Sequence, residues 1–190
     1  MSAHFAPRLL LIGVAFLLGS CTSIEETVQT PPETNISYQS ADGVELRGYL
    51  AVPDGQGPFP AVMMIHEWWG LNQDITILAD ALAEEGFLVM APDALRGALA
   101  ASVPAAIALN SRTPDAQIAS DLDAALAYLR SDPRVDNRRI ATMGFCFGGR
   151  ESMRLGIRQT GLAAVVTLYG SGLVTDPTAL GNLADNGPVL

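Results

Sequence analysis

The chain shows two kinds of hydrophobic pattern after residue 34. In 35–39 and 44–50, apolar and polar positions alternate on either side of the turn Ala41-Asp42-Gly43. This alternation predicts an antiparallel hairpin at the edge of a sheet. The segment 53–60 is rich in glycine and proline and is predicted to be a loop.

Later segments are apolar at nearly every position. They are 61–65, 87–91 and 163–170. A continuous apolar run of this length is typical of a strand that is buried on both faces. A further strand is predicted at 139–143, where Ile140, Ala141 and Met143 are apolar.

The segments between these strands have apolar residues at helical spacing. We predict helices over 74–85, 115–130 and 148–159. Gly86 is expected to end the first helix. The alanine-rich segment 98–109 is predicted to be partly helical, with Pro104 interrupting it. The inward positions of the second helix are Ile118, Leu122, Ala125, Leu126 and Leu129. Alternating buried strands and helices imply right-handed βαβ units and a mostly parallel sheet, an α/β fold.

The N-terminal segment has the features of an export signal. Arg8 precedes an apolar stretch, 9–18, which is shorter than the roughly 20 residues that span a bilayer. The stretch ends in Leu18-Gly19-Ser20-Cys21, which resembles a bacterial lipobox. That resemblance implies cleavage before Cys21 and lipidation of its thiol. An uncleaved helix, or an ordinary signal peptide with a chance cysteine, remains an alternative.

These observations predict three regions: a lipoprotein signal peptide at 1–20, a polar tether at 21–34 and one α/β domain at 35–190. A hydrophobic fraction of 49% in 190 residues is sufficient for one domain with a substantial core. Pro188-Val189-Leu190 resembles the beginning of a strand. We therefore expect the last strands and helices of the domain to lie beyond Leu190.

Charge and anchoring restrict the partners. Arginine supplies all 11 basic residues against 20 acidic ones, for a net charge of −9. Without a basic run, nucleic acid is an unfavourable partner. We expect a monomer attached to a bacterial envelope membrane through lipidated Cys21. Thr22 replaces the aspartate that is associated with inner-membrane retention, which favours the outer membrane.

Cys146 lies in Gly144-Phe145-Cys146-Phe147-Gly148-Gly149. This is the Gly-x-nucleophile-x-Gly pattern of a strand that turns sharply into a helix, with the two outer glycines allowing close packing. The helix N-terminus stabilises a thiolate through its dipole. The sequence has 2 cysteines, so a lipidated Cys21 leaves Cys146 without a disulfide partner. A redox-sensing thiol, which needs no oxyanion hole, is a weaker alternative.

The loop that follows strand 61–65 reads His66-Glu67-Trp68-Trp69-Gly70-Leu71-Asn72. In α/β-hydrolases, this loop supplies one amide of the oxyanion hole and the residue after the nucleophile supplies the other. These would be the amides of Trp68 and Phe147, each contributing about 3 kcal/mol to transition-state stabilisation.

Together the two motifs resemble those of the dienelactone hydrolase family of cysteine α/β-hydrolases. Ala91-Pro92-Asp93 and Leu168-Tyr169-Gly170 also match this family. The resemblance runs from the hairpin to Leu190. It implies an α/β-hydrolase fold with helices on both faces of the sheet, and attack of a thiolate on a small ester or lactone. It implies neither a metal nor an organic cofactor.

The resemblance also assigns roles to individual residues. Glu67 would activate the Cys146 thiol, although a purely structural carboxylate is an alternative. Arg96 would hold a substrate carboxylate, or it is a solvated loop arginine. One of Trp68 and Trp69 is expected to pack the loop while the other, which we assign as Trp69, lines the acyl pocket.

The family completes its triad with an aspartate and a histidine after the nucleophile. Asp176 and Asp185 do not match the aspartate position, and no histidine follows Cys146. His66 is expected to support the loop through backbone hydrogen bonds rather than to act as the base. The 190-residue form is therefore expected to be inactive by itself, and a catalytically inactive membrane-tethered binding module is the competing function. The arginines Arg150, Arg154 and Arg158 are expected to form a solvated stripe.

Overall fold

One sheet organises residues 34–190, which are the residues that the computed structural model describes. Its strands are β1 Ile36–Gln39, β2 Glu45–Ala51, β3 Phe59–Ile65, β4 Leu88–Pro92, β5 Val135–Phe145 and β6 Ala164–Leu168. Their spatial order is β1-β2-β4-β3-β5-β6. The predicted signal peptide, the lipidation of Cys21 and nearly all of the predicted tether lie outside the described residues.

The pairing confirms the two strand classes that the hydrophobic pattern predicted. β1 and β2 form an antiparallel hairpin at one edge, and β2 is antiparallel to β4. The remaining pairs, β4 with β3, β3 with β5 and β5 with β6, are parallel. The carboxyl ends of four strands therefore lie along the same edge of the sheet, which is where ligands bind in α/β proteins.

Helices connect the strands and cover the sheet. They are α1 Gln73–Glu84, α2 Val103–Arg112, α3 Asp115–Ser131, α4 Phe147–Arg158 and α5 Pro177–Gly181, followed by a 3₁₀ turn at Asn182–Asp185. Asn72 caps α1 by accepting a hydrogen bond from the Ile75 amide at 3.3 Å. Gly86 follows that helix with φ of +92°, as its predicted role requires. None of the helices that the structure describes has the length and apolar character needed to cross a membrane.

The prediction that Pro104 interrupts a helix is wrong. Pro104 is the second residue of α2, and Ser102 caps the helix by accepting a hydrogen bond from the Ala105 amide at 3.4 Å. Amides in the first turn have no intrahelical acceptor, so a proline there removes no hydrogen bond. The helix consequently runs from 103 to 112 instead of from 98 to 109.

Two strand predictions also change. β5 has 11 residues rather than the five predicted at 139–143. β6 ends at Leu168, and only Val165 within it is buried, so the expectation of a fully buried strand over 163–170 is wrong. Val189 pairs with Val165 in parallel, and the Thr167 amide donates to the Leu190 carbonyl at 2.7 Å. The strand-like character predicted for 188–190 is thus observed.

The core lies on both faces of the sheet. On one face, α3 and α4 cover alternate strand residues such as Met63 and Ile65. On the other, α1 covers Val62 and Met64. All the predicted inward positions of α3 are buried: Ile118, Leu122, Ala125, Leu126 and Leu129. The two packed layers hold the strand ends in a fixed arrangement.

Glycines bring β3, β5 and α4 into contact beneath Cys146. A Cβ atom at Gly144 would overlap the Gly148 carbonyl, and one at Gly148 would overlap the carbonyls of Ile65 and His66. These obstacles are backbone atoms, which cannot move aside as a flexible side chain can. The close approach predicted from the Gly-x-Cys-x-Gly pattern is therefore confirmed.

We expect Gly148→Ala to destabilise the domain even though it improves helix propensity. Propensity alone would raise the free energy of unfolding by about 1 kcal/mol, whereas the backbone overlap should lower it by about 1–3 kcal/mol or more. Urea denaturation followed by circular dichroism measures the sign. Gly181→Ala is the matched control, because a Cβ there has nothing within 4 Å and φ is −55°. Equal stability of the two variants would contradict the close-packing argument.

Candidate active site

Cys146 occupies a strained turn between β5 and α4. Its φ of 52° and ψ of −108° lie where non-glycine residues are rare, at a cost of about 1–3 kcal/mol. Neighbouring backbone holds it there: the Cys146 amide donates to the Leu168 carbonyl at 3.0 Å, and the Cys146 carbonyl accepts from the amides of Arg150 and Ser171 at 3.2 and 3.3 Å. The thiol is half-buried and forms no disulfide within the described residues.

The sulfur has a hydroxyl partner that the sequence analysis missed. Cys146 Sγ lies 3.7 Å from Ser171 Oγ. Ser171 belongs to the loop after β6, and β6 is the parallel neighbour of β5. The strand order brings the two residues together. The matching motif Leu168-Tyr169-Gly170 ends one residue too early to indicate this contact.

His66 supports the loop after β3 through both of its ring nitrogens. The ring is fully buried and stacks against Phe147, with centroids 6.0 Å apart. Nδ1 lies 2.6 Å from the Glu67 carbonyl, and Nε2 accepts a hydrogen bond from the Ala94 amide at 3.1 Å. These bonds assign the neutral tautomer with the proton on Nδ1. As expected, both nitrogens bond to backbone and neither is free to act as a base.

Burial also keeps His66 neutral. Loss of solvent lowers the pKa of the imidazole and is the largest influence. Nearby Asp93, the bond to the Glu67 carbonyl and the Glu67 charge act in the opposite direction but do not reverse the shift. The neutral ring can therefore keep both hydrogen bonds near neutral pH.

Glu67 contacts a tyrosine in the loop after β6, and β5 with the nucleophile lies between β3 and β6. The Tyr169 hydroxyl donates to Glu67 Oε1 at 3.1 Å. Glu67 follows β3, Cys146 follows β5 and Tyr169 follows β6, so the three come from adjacent strand ends. Tyr169 was part of a matching motif, but nothing in the local sequence pattern indicated a contact with Glu67.

The two amides predicted for the oxyanion hole follow neighbouring strands, β3 and β5, and their role stays a prediction. Phe147 is the first residue of α4, so its N–H has no acceptor within the helix. Trp68 lies in the turn after β3, and its carbonyl accepts from Asn110 Nδ2 at 2.9 Å. The Trp68 ring packs against the core and contacts Trp69 edge-on, with centroids 5.2 Å apart. Trp68 is thus the tryptophan that packs the loop, while a pocket role for Trp69 stays a prediction.

Arg96 has a structural partner. Its guanidinium forms two hydrogen bonds with Asp121 of α3, at 2.7 and 2.8 Å, and the Asp121 side chain is almost completely buried. The bidentate pair raises the pKa of Arg96. Removing Arg96 would leave a buried carboxylate without its counter-charge. This geometry gives no support to a substrate-binding role for Arg96, and a solvated loop arginine is also a poor description.

The expectation that three arginines of α4 form a solvated stripe is wrong. Each is about three-quarters buried and forms an ion pair. Arg150 and Arg154 bond to buried Glu151 at 2.8 and 3.1 Å. Arg154 also pairs with Asp115, and Arg158 with Asp123, at 3.1 and 3.2 Å. These pairs join α4 to α3.

Asp176 is occupied at a helix end. Its Oδ1 accepts from the amides of Thr178 and Ala179 at 2.7 and 3.2 Å, and these bonds lower the pKa of the carboxyl. The side chain caps α5, in agreement with its exclusion as a triad member. Within 34–190, no group of three or more histidine, cysteine, aspartate or glutamate side chains is arranged to hold a metal ion.

Known proteins share this fold and these motifs. The dienelactone hydrolase family model matches residues 46–188. A Synechocystis protein named "Putative carboxymethylenebutenolidase" is 31% identical over 158 residues, covering 79% of this chain. A solved structure also matches, that of the dienelactone hydrolase-like promiscuous phosphotriesterase P91 from metagenomic libraries. It superimposes on 81% of this chain with a TM-score of 0.67 and a sequence identity of 30%.

The fold extends to a more distant enzyme. The α/β hydrolase GrgF from Penicillium sp. sh18 superimposes with a TM-score of 0.57 at 25% identity, over 71% of this chain and 45% of its own. Together with the parallel sheet, this confirms the α/β-hydrolase fold. The chain spans 61% of the Synechocystis relative and 66% of the P91 structure.

The buried His66 predicts a pH dependence of stability. Because the folded state lowers its pKa, the unfolded chain binds a proton first as the pH falls through about 6.5. The stability that the neutral, buried His66 contributes to the folded state is fully present above that pH. Below it, the free energy of unfolding should decrease by up to about 1.4 kcal/mol per pH unit. Urea denaturation at several pH values measures this slope.

The variant that tests this is His66→Gln, because the other histidine, His4, lies in the predicted signal peptide. His66→Gln should remove this part of the slope, whatever its overall stability. Parallel curves for the wild type and His66→Gln would contradict the assignment.

Proposed function

This chain belongs to the dienelactone hydrolase family, and we propose that it cleaves an ester or lactone through a thioester formed on Cys146. The observation that carries the proposal is the strained conformation of Cys146 at the start of α4, with Glu67 at the end of the neighbouring strand β3. A thiol used only for packing gains nothing from such a conformation. Strain of this kind is characteristic of functional sites.

The first chemical step is acylation. Glu67 accepts the thiol proton, and the sulfur attacks the carbonyl carbon to form a tetrahedral oxyanion. The amides of Trp68 and Phe147 donate hydrogen bonds to that oxyanion. Its collapse expels the alcohol oxygen, which takes up a proton, and leaves an acyl group on sulfur. Water then hydrolyses the thioester to release the acid and restore the thiol.

We propose that the 190-residue chain is acylated but deacylates very slowly, which is the sense in which it is expected to be inactive as a catalyst. Hydrolysis of a thioester needs a base to activate water, and the family supplies a late histidine for this purpose. No histidine follows Cys146 in the sequence, and both nitrogens of His66 bond to backbone. The residues proposed for acylation, in contrast, are all present between 67 and 147.

The test is acylation of the purified chain by p-nitrophenyl acetate. We expect a burst of p-nitrophenolate of about one equivalent per chain, followed by slow turnover, because Cys146 is the nucleophile and deacylation limits the cycle. Mass spectrometry of peptides should place one acetyl group on Cys146. Cys146→Ala should abolish the burst.

Cys21→Ser is the control, because Cys21 is the second of the 2 cysteines and its loss should leave the burst unchanged. Glu67→Gln should slow the burst by about 10²–10⁴-fold if Glu67 accepts the thiol proton. An unchanged burst in Cys146→Ala would remove Cys146 as the nucleophile and overturn the proposal.

We also propose that Cys21 carries the lipid that attaches the protein to the bacterial envelope. The proposal rests on the lipobox-like sequence Leu18-Gly19-Ser20-Cys21. When expressed in a bacterium, the wild type should enter the detergent phase of a Triton X-114 separation, and Cys21→Ser should remain in the aqueous phase. Both proteins in the detergent phase would instead indicate an uncleaved apolar helix.

A further inference from the structure

Tyr169 is an exposed aromatic residue in an unfavourable backbone conformation. Its φ is 39°, a region that side-chain-bearing residues rarely adopt, and 69% of the residue is accessible to solvent. Burial therefore does not explain the conformation. The specific contact of its hydroxyl is the bond to Glu67 Oε1 at 3.1 Å.

The backbone on both sides of Tyr169 is attached to Cys146. The Leu168 carbonyl, immediately before Tyr169, accepts from the Cys146 amide at 3.0 Å. Ser171, two residues after Tyr169, donates its amide to the Cys146 carbonyl at 3.3 Å. The tyrosine thus belongs to a short loop whose position is set by the nucleophile itself.

Packing further restricts this loop. The Tyr169 ring lies 6.1 Å from the ring of Phe145, the residue before the nucleophile. The hydroxyl is consequently presented to Glu67 from a constrained platform rather than from a freely moving side chain.

We propose that Tyr169 is the positioning residue that holds the Glu67 carboxylate beside Cys146 for proton transfer from the thiol. The inference rests on the proposed function, because it assigns the orientation of the proposed proton acceptor. The phenol hydrogen-bonds to one carboxylate oxygen, Oε1, and leaves Oε2 to take the proton. A glutamate side chain has three rotatable bonds, so without this donor the carboxylate samples many other orientations.

The surroundings maintain the phenol as a donor. Desolvation raises the pKa of Tyr169, and the bond to Glu67 and the charges of Glu67 and Cys146 act in the same direction. The other titratable or charged groups next to this arrangement are His66, which bonds to the Glu67 carbonyl, and Arg150, whose guanidinium lies 5.3 Å from the Phe147 ring centroid. The phenol therefore stays protonated near neutral pH.

The test measures alkylation of the sulfur by iodoacetamide. In this reaction the thiol proton passes to Glu67, the sulfur bonds to the reagent's methylene carbon and iodide leaves. The full chain is used with Cys21→Ser, so that Cys146 is the remaining thiol. Rates are measured from about pH 6 to pH 9, across the usual range of thiol ionisation.

We expect Tyr169→Phe to slow alkylation near pH 7 by about tenfold, the equivalent of one hydrogen bond to a charged group, and to move the pH profile upward. The profile moves because an unpositioned carboxylate no longer takes the proton, and the thiol must ionise into water. Glu67→Gln should have at least the same effect, and the double variant should match Glu67→Gln.

Tyr49→Phe is the matched control. Tyr49 also donates to an exposed carboxylate, Asp80 Oδ1 at 2.8 Å, but connects β2 with α1. This variant should alkylate like the parent chain. If Cys146 in Tyr169→Phe is alkylated at the wild-type rate, the positioning role is overturned. It is also overturned if the effects of Tyr169→Phe and Glu67→Gln on the alkylation rate multiply in the double variant.

The result is separable from the test of hydrolysis. Alkylation reports on the sulfur and its proton acceptor without an ester. If p-nitrophenyl acetate fails to acylate Cys146 while Tyr169→Phe slows alkylation only when Glu67 is present, the positioning role stands and the hydrolase proposal falls. If Cys146 is acylated while Tyr169→Phe alkylates normally, the positioning role alone is overturned.

Discussion

The contact between backbones beneath Cys146 is the constraint on which the rest of the site depends. Gly144 and Gly148 allow β5, α4 and the end of β3 to approach to a distance that excludes even a methyl group. This approach produces the sharp turn that carries the thiol, and it places the loop with Glu67 beside it. The cost of the strained conformation at Cys146 is offset by the packing of helices against both faces of the sheet.

Around this contact, buried polar groups connect loops rather than bind ligands. The neutral imidazole of His66 joins the loop after β3 to the amide of Ala94 after β4. Arg96 then joins the β4 loop to Asp121 of α3. Each of these groups is satisfied by a specific partner, because an unpaired polar group would be expensive at this depth. The polar network therefore fixes the positions of the strand-end loops relative to one another.

A different set of polar groups remains at the surface of the same edge. Ser171 contacts the sulfur of Cys146, and Tyr169 bonds to Glu67. Glu67 follows β3, whereas Tyr169 and Ser171 follow β6, and both strands are neighbours of β5. The division is physical. Residues that bond deep in the edge provide rigidity, and those at its exposed rim are accessible to solvent.

The sequence by itself determined the features that depend on neighbours along the chain. The hydrophobic period indicated the hairpin, α1, α3 and the parallel strands, and the glycines flanking Cys146 indicated the turn. Pro104 was misjudged because its effect depends on where the first helical turn begins. The contacts of Tyr169, Ser171 and Arg96 were decided only by the tertiary structure. Their partners lie 25 to 102 residues away in the chain, and strand order and helix packing, which local pattern does not encode, bring them together.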